Sequence, residues 1–243
     1  ILVAIFFAVH AIRNRREIYW LMILFAFPLL GSVVYFFAIY LPDSRLQHGV
    51  RKVTVAALKS LDPGKELREA QEAFELTPSA QNQMRLASAY LEVGDARHAA
   101  EQFEACLVGP FANEKEILFG AAKARLQNGQ GEAALELLNK IRSLHPNFRV
   151  EAVCLCLAQT YAVLNQSTQA HAEFANAVQH YGSVEAYAEY AIWALSIGDR
   201  PTADAQIREL DKMKRHWSSH NHSMHKVLMK KLDTALAKAG SSA

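Results

Sequence analysis

The sequence predicts an all-α protein: an N-terminal transmembrane helical hairpin followed by an α-solenoid of about four helix-turn-helix repeats. Three observations lead there. Residues 18–41 run 24 positions without a charged side chain. Four windows beyond residue 80 repeat one pattern of small and large apolar residues, at steps of 35, 36 and 33. Charge is partitioned along the chain: residues 1–42 carry a net +2, residues 43–207 a net −5 and residues 208–243 a net +5. An apolar front end, a mildly acidic body and a basic tail describe a membrane-attached protein better than a uniform globule. With 7 prolines and 11 glycines in 243 residues, the chain is neither collagen-like nor a disordered polymer.

Residues 1–42 form the expected anchor. As a helix, residues 18–41 would extend roughly 36 Å, enough for a ~30 Å hydrocarbon core with some tilt. Tyr19 and Trp20 stand at one end and Tyr40 at the other, where amphipathic rings favour the interface. Pro28 and Gly31 interrupt the run, which a membrane helix tolerates because neighbouring helices re-satisfy the freed backbone groups. The apolar residues 1–12 are too few to span alone, so the first helix is expected to begin upstream of Ile1. A signal peptide fits poorly, since the arginines of the turn Arg13-Asn14-Arg15-Arg16-Glu17 follow the apolar run instead of preceding it. A buried core helix over 18–41 is the competing reading, and the absence of any charge argues against it.

Ala11-Ile12, the basic turn, Trp20, Pro28, Gly31 and Tyr35-Phe36-Phe37 together resemble the phospholipase D-nuclease N-terminal hairpin, the membrane module that precedes the catalytic domains of bacterial cardiolipin synthases. The resemblance implies a membrane anchor and no catalysis. The superfamily's catalytic signature, His-x-Lys-x4-Asp, is missing: none of the ten histidines has Lys two residues on, His225 being followed by Lys226 and Val227.

Residues 43–79 read as linking helices, Val50–Leu61 and Lys65–Leu76, separated by a turn at Asp62-Pro63-Gly64. The second, with Ala70, Ala73 and Phe74, has the makings of half a repeat that covers the first face of the stack.

Residues 80–211 hold the repeats. Leu86-Ala87, Tyr90, Gly94-Asp95, Ala99 and Phe103 reappear as Ala121-Ala122, Arg125, Gly129, Ala134 and Leu138. The third copy is Leu157-Ala158, Tyr161, Asn165, Ala170 and Phe174, and the fourth Tyr190-Ala191, Ala194, Gly198-Asp199, Ala203 and Ile207. Small residues let paired helices approach, large ones fill the space between units, and Gly94, Gly129, Asn165 and Gly198 fall where a left-handed cap should end the first helix. The pattern resembles the tetratricopeptide repeat. It departs at the usual Trp slot, held by Gln83, Leu118, Cys154 and Tyr187, and at the closing Pro, clear only at Pro146.

That resemblance implies a concave groove lined by the first helices, binding a client peptide or helix through Met84, Ser88, Phe119, Lys123, Leu155, Gln159, Ala188 and Ile192. A clamp for a C-terminal carboxylate is disfavoured, because only Lys123 has the required type. Residues 212–243 read as a basic capping helix over Met224–Ala239, with Val227, Leu228, Leu232 and Leu236 on one side. Contact with anionic lipid is its alternative role, as part of a lipid-responsive membrane regulator.

No cofactor, metal or nucleic-acid partner is expected. His216, His220, His222 and His225 have chelate-like spacing, but Ser218, Ser219 and Asn221 suggest a solvated loop and no Cys or carboxylate lies among them. Cys106, Cys154 and Cys156 lack a disulfide framework, and Cys154 and Cys156, in a first helix where small apolar residues belong, read as core thiols. Phosphate-loop, dinucleotide, zinc-protease and nucleophile-elbow motifs are missing, so catalytic residues are not expected. The expectation is a protein-binding scaffold in a bacterial inner membrane, assembling or quality-controlling a membrane or envelope complex. The unpaired cysteines lean the repeats toward the cytoplasm, although the three arginines of the hairpin turn pull the other way.

Overall fold

The protein is described here by a computed structural model covering residues 64–241. Contacts divide the chain into two compact units, Ile1–Lys65 and Glu66–Ala243, and the fold below is that of the second. The hairpin at 1–42 and the helix at Val50–Leu61 lie outside the described residues, among which no helix is long and apolar enough to cross a membrane.

The described residues are helical from end to end: α1 (Lys65–Leu76), α2 (Ala80–Val93), α3 (Ala96–Cys106), a 3-10 turn at Gly109–Phe111, α4 (Lys115–Gln127), α5 (Gly131–Leu144), α6 (Val150–Val163), α7 (Ser167–Tyr181), α8 (Val184–Ser196), α9 (Arg200–Lys214), α10 (Ser219–Met224) and α11 (Lys226–Ser241). Helices pair as α2 with α3, α4 with α5, α6 with α7 and α8 with α9. Each pair then stacks on the next through its second helix, and the first helices α2, α4, α6 and α8 touch in succession. This is solenoid packing, and the four pairs are the four sequence windows.

The turn inside each pair forms for a local reason. Gly94, Gly129 and Gly198 have φ of +86°, +74° and +79°, and Asn165 takes the same slot at +56°. Left-handed backbone is steeply unfavourable for most side chains, and asparagine is the ordinary substitute for glycine there. Asp95 and Asp199 then cap the second helices by accepting from the backbone N–H groups of His98 and Thr202. Ser79 and Ser183 do the same for α2 and α8. The small slots are sealed: Ala87, Ala99, Ala122, Ala134, Ala158, Ala170, Ala191 and Ala203 are all fully buried.

α1 completes the front of this stack. Ala70 packs against Leu86 and Ala89. Gln71 Nε2 donates to Tyr90 Oη at 3.1 Å, and Arg85 Nε donates to Glu66 at 2.9 Å. Arg142 of α5 lies against Tyr161 of α6 across the same sequence separation. α1 therefore stands where the second helix of a preceding repeat would stand.

The carboxyl end differs from its expectation in two ways. Residues 218–225 are not an open loop: Ser218 caps the short helix α10, and α11 begins at Lys226, after His225 closes α10. Val227 is also not on the packed side, being 73% exposed, whereas Leu232 is only 2% exposed. The buried stripe is Leu228, Leu232, Ala235, Leu236 and Ala239, which joins the cluster formed by α8 and α9. Val227 precedes that stripe by one residue, about 100° around the helix. The main partner of α11 is α8, the first helix of the last pair.

Candidate partner-binding face

The eight groove positions fall on the first helices as two slots per repeat, four residues apart. The earlier slot is mostly a packing slot. Met84 and Leu155 are half-buried, Phe119 is 7% exposed, and Ala188 is wholly enclosed. Ala188 therefore presents no side-chain surface to a partner, being enclosed in the cluster that also holds Leu155 and Ile192. The later slot is the surface slot: Ser88 and Lys123 are exposed, Gln159 and Ile192 half-buried.

These positions do not form one continuous array. Ser88 turns back on its own helix, its hydroxyl donating to the Met84 carbonyl at 2.9 Å. Gln159 Nε2 donates to Glu189 at 3.1 Å and ties α6 to α8. Ile192 packs in the cluster that also holds Leu228, Leu232 and Ala235 of α11, so the far end of the face is shaded by the C-terminal helix.

The chemically distinctive part lies where α4 meets the entry to α6. Phe119 and Phe148 meet edge to face with centroids 6.0 Å apart. Lys123 Nζ lies 5.9 Å from the Phe119 ring and Lys115 Nζ 6.0 Å from the Phe148 ring. The Arg149 guanidinium stands 6.0 Å from one ring and 5.5 Å from the other. Lys115, Lys123 and Arg149 are exposed, and Arg149 pairs with Glu116 at 3.1 Å. Each ring-cation contact at such exposure contributes about 0.5–1 kcal/mol, and together they hold three cations around an aromatic patch. Arg149 is held there by an unusual backbone, φ +37°, at the entry to α6.

The chain superposes on the crystal structure of MamA with a TM-score of 0.50 at 15% identity, covering 62% of this chain and 90% of that one. The fold is that of a tetratricopeptide-like helical solenoid. No family model matches the chain, and no curated protein is significantly similar to it in sequence.

Within this tetratricopeptide-like frame, Phe119 and Lys123 occupy repeat slots, whereas Phe148, Arg149 and Lys115 are not among the groove positions that the repeat pattern names. Phe148 and Arg149 lie in the connection between repeats, where the repeat pattern specifies nothing. A Phe-Arg pair just after Pro146 was the available signal.

The histidine cluster disperses. His225 is buried, with Nδ1 3.3 Å from Glu185 and its ring 5.0 Å from that of Trp217, whereas His216, His220 and His222 are exposed. Among the described residues no group of three or more metal-ligating side chains converges. Cys106, Cys154 and Cys156 are buried free thiols. Burial pushes Cys156 up to about 12, and burial reinforced by the Glu173 carboxylate does the same to Cys154. Neither is a thiolate at neutral pH, so neither is poised as a nucleophile.

Proposed function

We propose that this protein is a membrane-tethered scaffold that holds a segment of a client protein on the face formed by α2, α4, α6 and α8. The observation that carries the reading is the Phe119–Phe148 pair ringed by Lys115, Lys123 and Arg149 where α4 meets the entry to α6. Aromatic residues and arginine are the side chains that most often dominate binding energy at protein interfaces. The task would be positioning: tethering by residues 1–42 raises the local concentration of a client near the bilayer, so that a modest contact suffices. Assembly or quality control of a membrane or envelope complex at a bacterial inner membrane is the setting proposed.

Photo-crosslinking in native membranes tests this. A probe replacing Lys123 should give one dominant protein adduct that disappears when Arg149 and Gln159 are changed to Glu. A probe replacing Glu132 on α5 is the control. Adducts equal at the two positions, or only to lipid, would sink the proposal.

A further inference from the structure

α11 does not pack as the first helix of a fifth repeat would. Between successive repeats, α4, α6 and α8 pack chiefly on the second helix before them and only lightly on the first helix before them. α11 reverses this preference, since its main contact is with the first helix α8. Its stripe of Leu228, Leu232, Ala235, Leu236 and Ala239 shares a cluster with Ala188 and Ile192, the two groove slots of the last repeat. α11 therefore covers the partner-binding face of α8 as an amphipathic helix covers the floor of a groove.

The cover is incomplete. Leu232 is sealed in the contact, but an open cleft of about 1000 Å³ lies between the second half of α11, the end of α8 and the start of α9. Ile192 and Leu195 line it from α8, and Ala235 and Ala239 line it from α11. Both alanines belong to the packed stripe and both are half-buried, so the stripe turns short where the cleft opens. Larger apolar side chains at those two positions would bury surface that α11 leaves uncovered.

We propose that α11 is an intramolecular stand-in for the client: this face of α8 binds amphipathic helices, and the client is a helix with leucine-sized side chains where α11 has Ala235 and Ala239. The inference rests on the reading of the first-helix face as the client face, and it names the client's chemistry. Tethering gives α11 an effective concentration of roughly millimolar order over a short link. A free helix has to overcome that advantage, because its apparent affinity is reduced by the fraction of molecules whose face is open. Filling the cleft supplies the difference, isobutyl groups replacing methyl groups against Ile192 and Leu195. Helices no better than α11 stay out, and those that fill the cleft enter.

The test uses the full chain in neutral detergent micelles and two fluorescent peptides. One carries residues 226–241, and the other the same sequence with Ala235→Leu and Ala239→Leu. Anisotropy should show the second peptide binding saturably and about tenfold more tightly than the first, as two further buried leucines would provide. Its binding should raise hydrogen exchange over Lys226–Ser241 while α8 stays protected. The same two substitutions placed in the protein should raise its melting temperature and weaken binding of the second peptide by about tenfold or more, because a better stand-in keeps the face closed. Equal affinity of the two peptides, unchanged exchange in α11 on binding, or a lower melting temperature of the substituted protein overturns the proposal. Binding that Lys123→Glu abolishes while α11 exchange stays unchanged keeps the client face and overturns the stand-in. Displacement of α11 by the second peptide, with no protein adduct at Lys123 in native membranes, upholds the helix site on α8 and sinks the reading built on the aromatic patch. Dimerisation of the unliganded chain that the second peptide dissolves would reassign the face to α11 of a second copy.

Discussion

The Phe103 ring lies so close to Gly120 that a Cβ built on the glycine would fall 2.4 Å from Phe103 Cε1. Phe103 is buried at the end of α3, and Gly120 is in the middle of α4 on the next repeat. A glycine inside a helix costs about 1 kcal/mol relative to alanine, and here that cost is set against the close approach it permits. Gly120→Ala should therefore destabilise despite its better propensity, by about 1–3 kcal/mol from overpacking. Thermal unfolding of the variant beside Phe103→Leu, Gly120→Ala checks the cause, because the smaller side chain should recover part of the loss.

Arg125 occupies the slot where two other repeats have Tyr90 and Tyr161. Its guanidinium grips the Glu104 carboxylate of the preceding repeat and reaches Gln130 of its own turn. The pair is partly exposed, so its coupling should be modest, about 0.5–1 kcal/mol, and should shrink as salt rises. A double-mutant cycle with Arg125→Ala and Glu104→Ala at two ionic strengths measures it.

The thiols predict slow alkylation and an alkaline limit. Cys154 and Cys156 titrate near 12 in the folded protein, above an unfolded cysteine at roughly 8.5. Their contribution to stability is present below the unfolded value and is lost as pH climbs from there toward 12. At pH 8, iodoacetamide should label the native protein far more slowly than the urea-unfolded chain, and denaturant midpoints should fall above pH 9. Cys154→Ser with Cys156→Ser should flatten that fall.

Asp95 and Asp199 predict an acid limit. The His98 side chain and backbone N–H hold Asp95 below the usual carboxylate range, and Thr202 does the same for Asp199. These caps stabilise above the unfolded carboxylate value and are lost as pH falls through the lowered one. Asp95→Ala and Asp199→Ala should each destabilise the protein at pH 7, the usual effect of losing a helix cap. The difference from wild type should narrow on acidification, as equilibrium unfolding from pH 7 to pH 2.5 would reveal.

Leu232 is the buried centre of the contact between α11 and the last repeat. Leu232→Ala should cost about 2–5 kcal/mol of that contact. Hydrogen exchange should show protection lost first over Lys226–Ser241 and α8, with α4 and α5 nearly unaffected, since each unit of a solenoid touches only its neighbours.

What the sequence determined by itself was everything that recurs. Periodic small residues and the four left-handed turn positions are local requirements, and each is visible as a residue type at a fixed spacing. α1 was expected as half a repeat from Ala70, Ala73 and Phe74. The aromatic patch was legible only in part: Phe119 and Lys123 follow from their slots, but Phe148 and Arg149 reach them through a connecting segment whose path no spacing encodes. The enclosure of Ala188, the exposure of Val227 and the cleft beside α11 were decided by tertiary structure alone. Each depends on α11 or on a neighbouring helix closing over α8, and a packing partner distant in sequence leaves no period in the helix it covers.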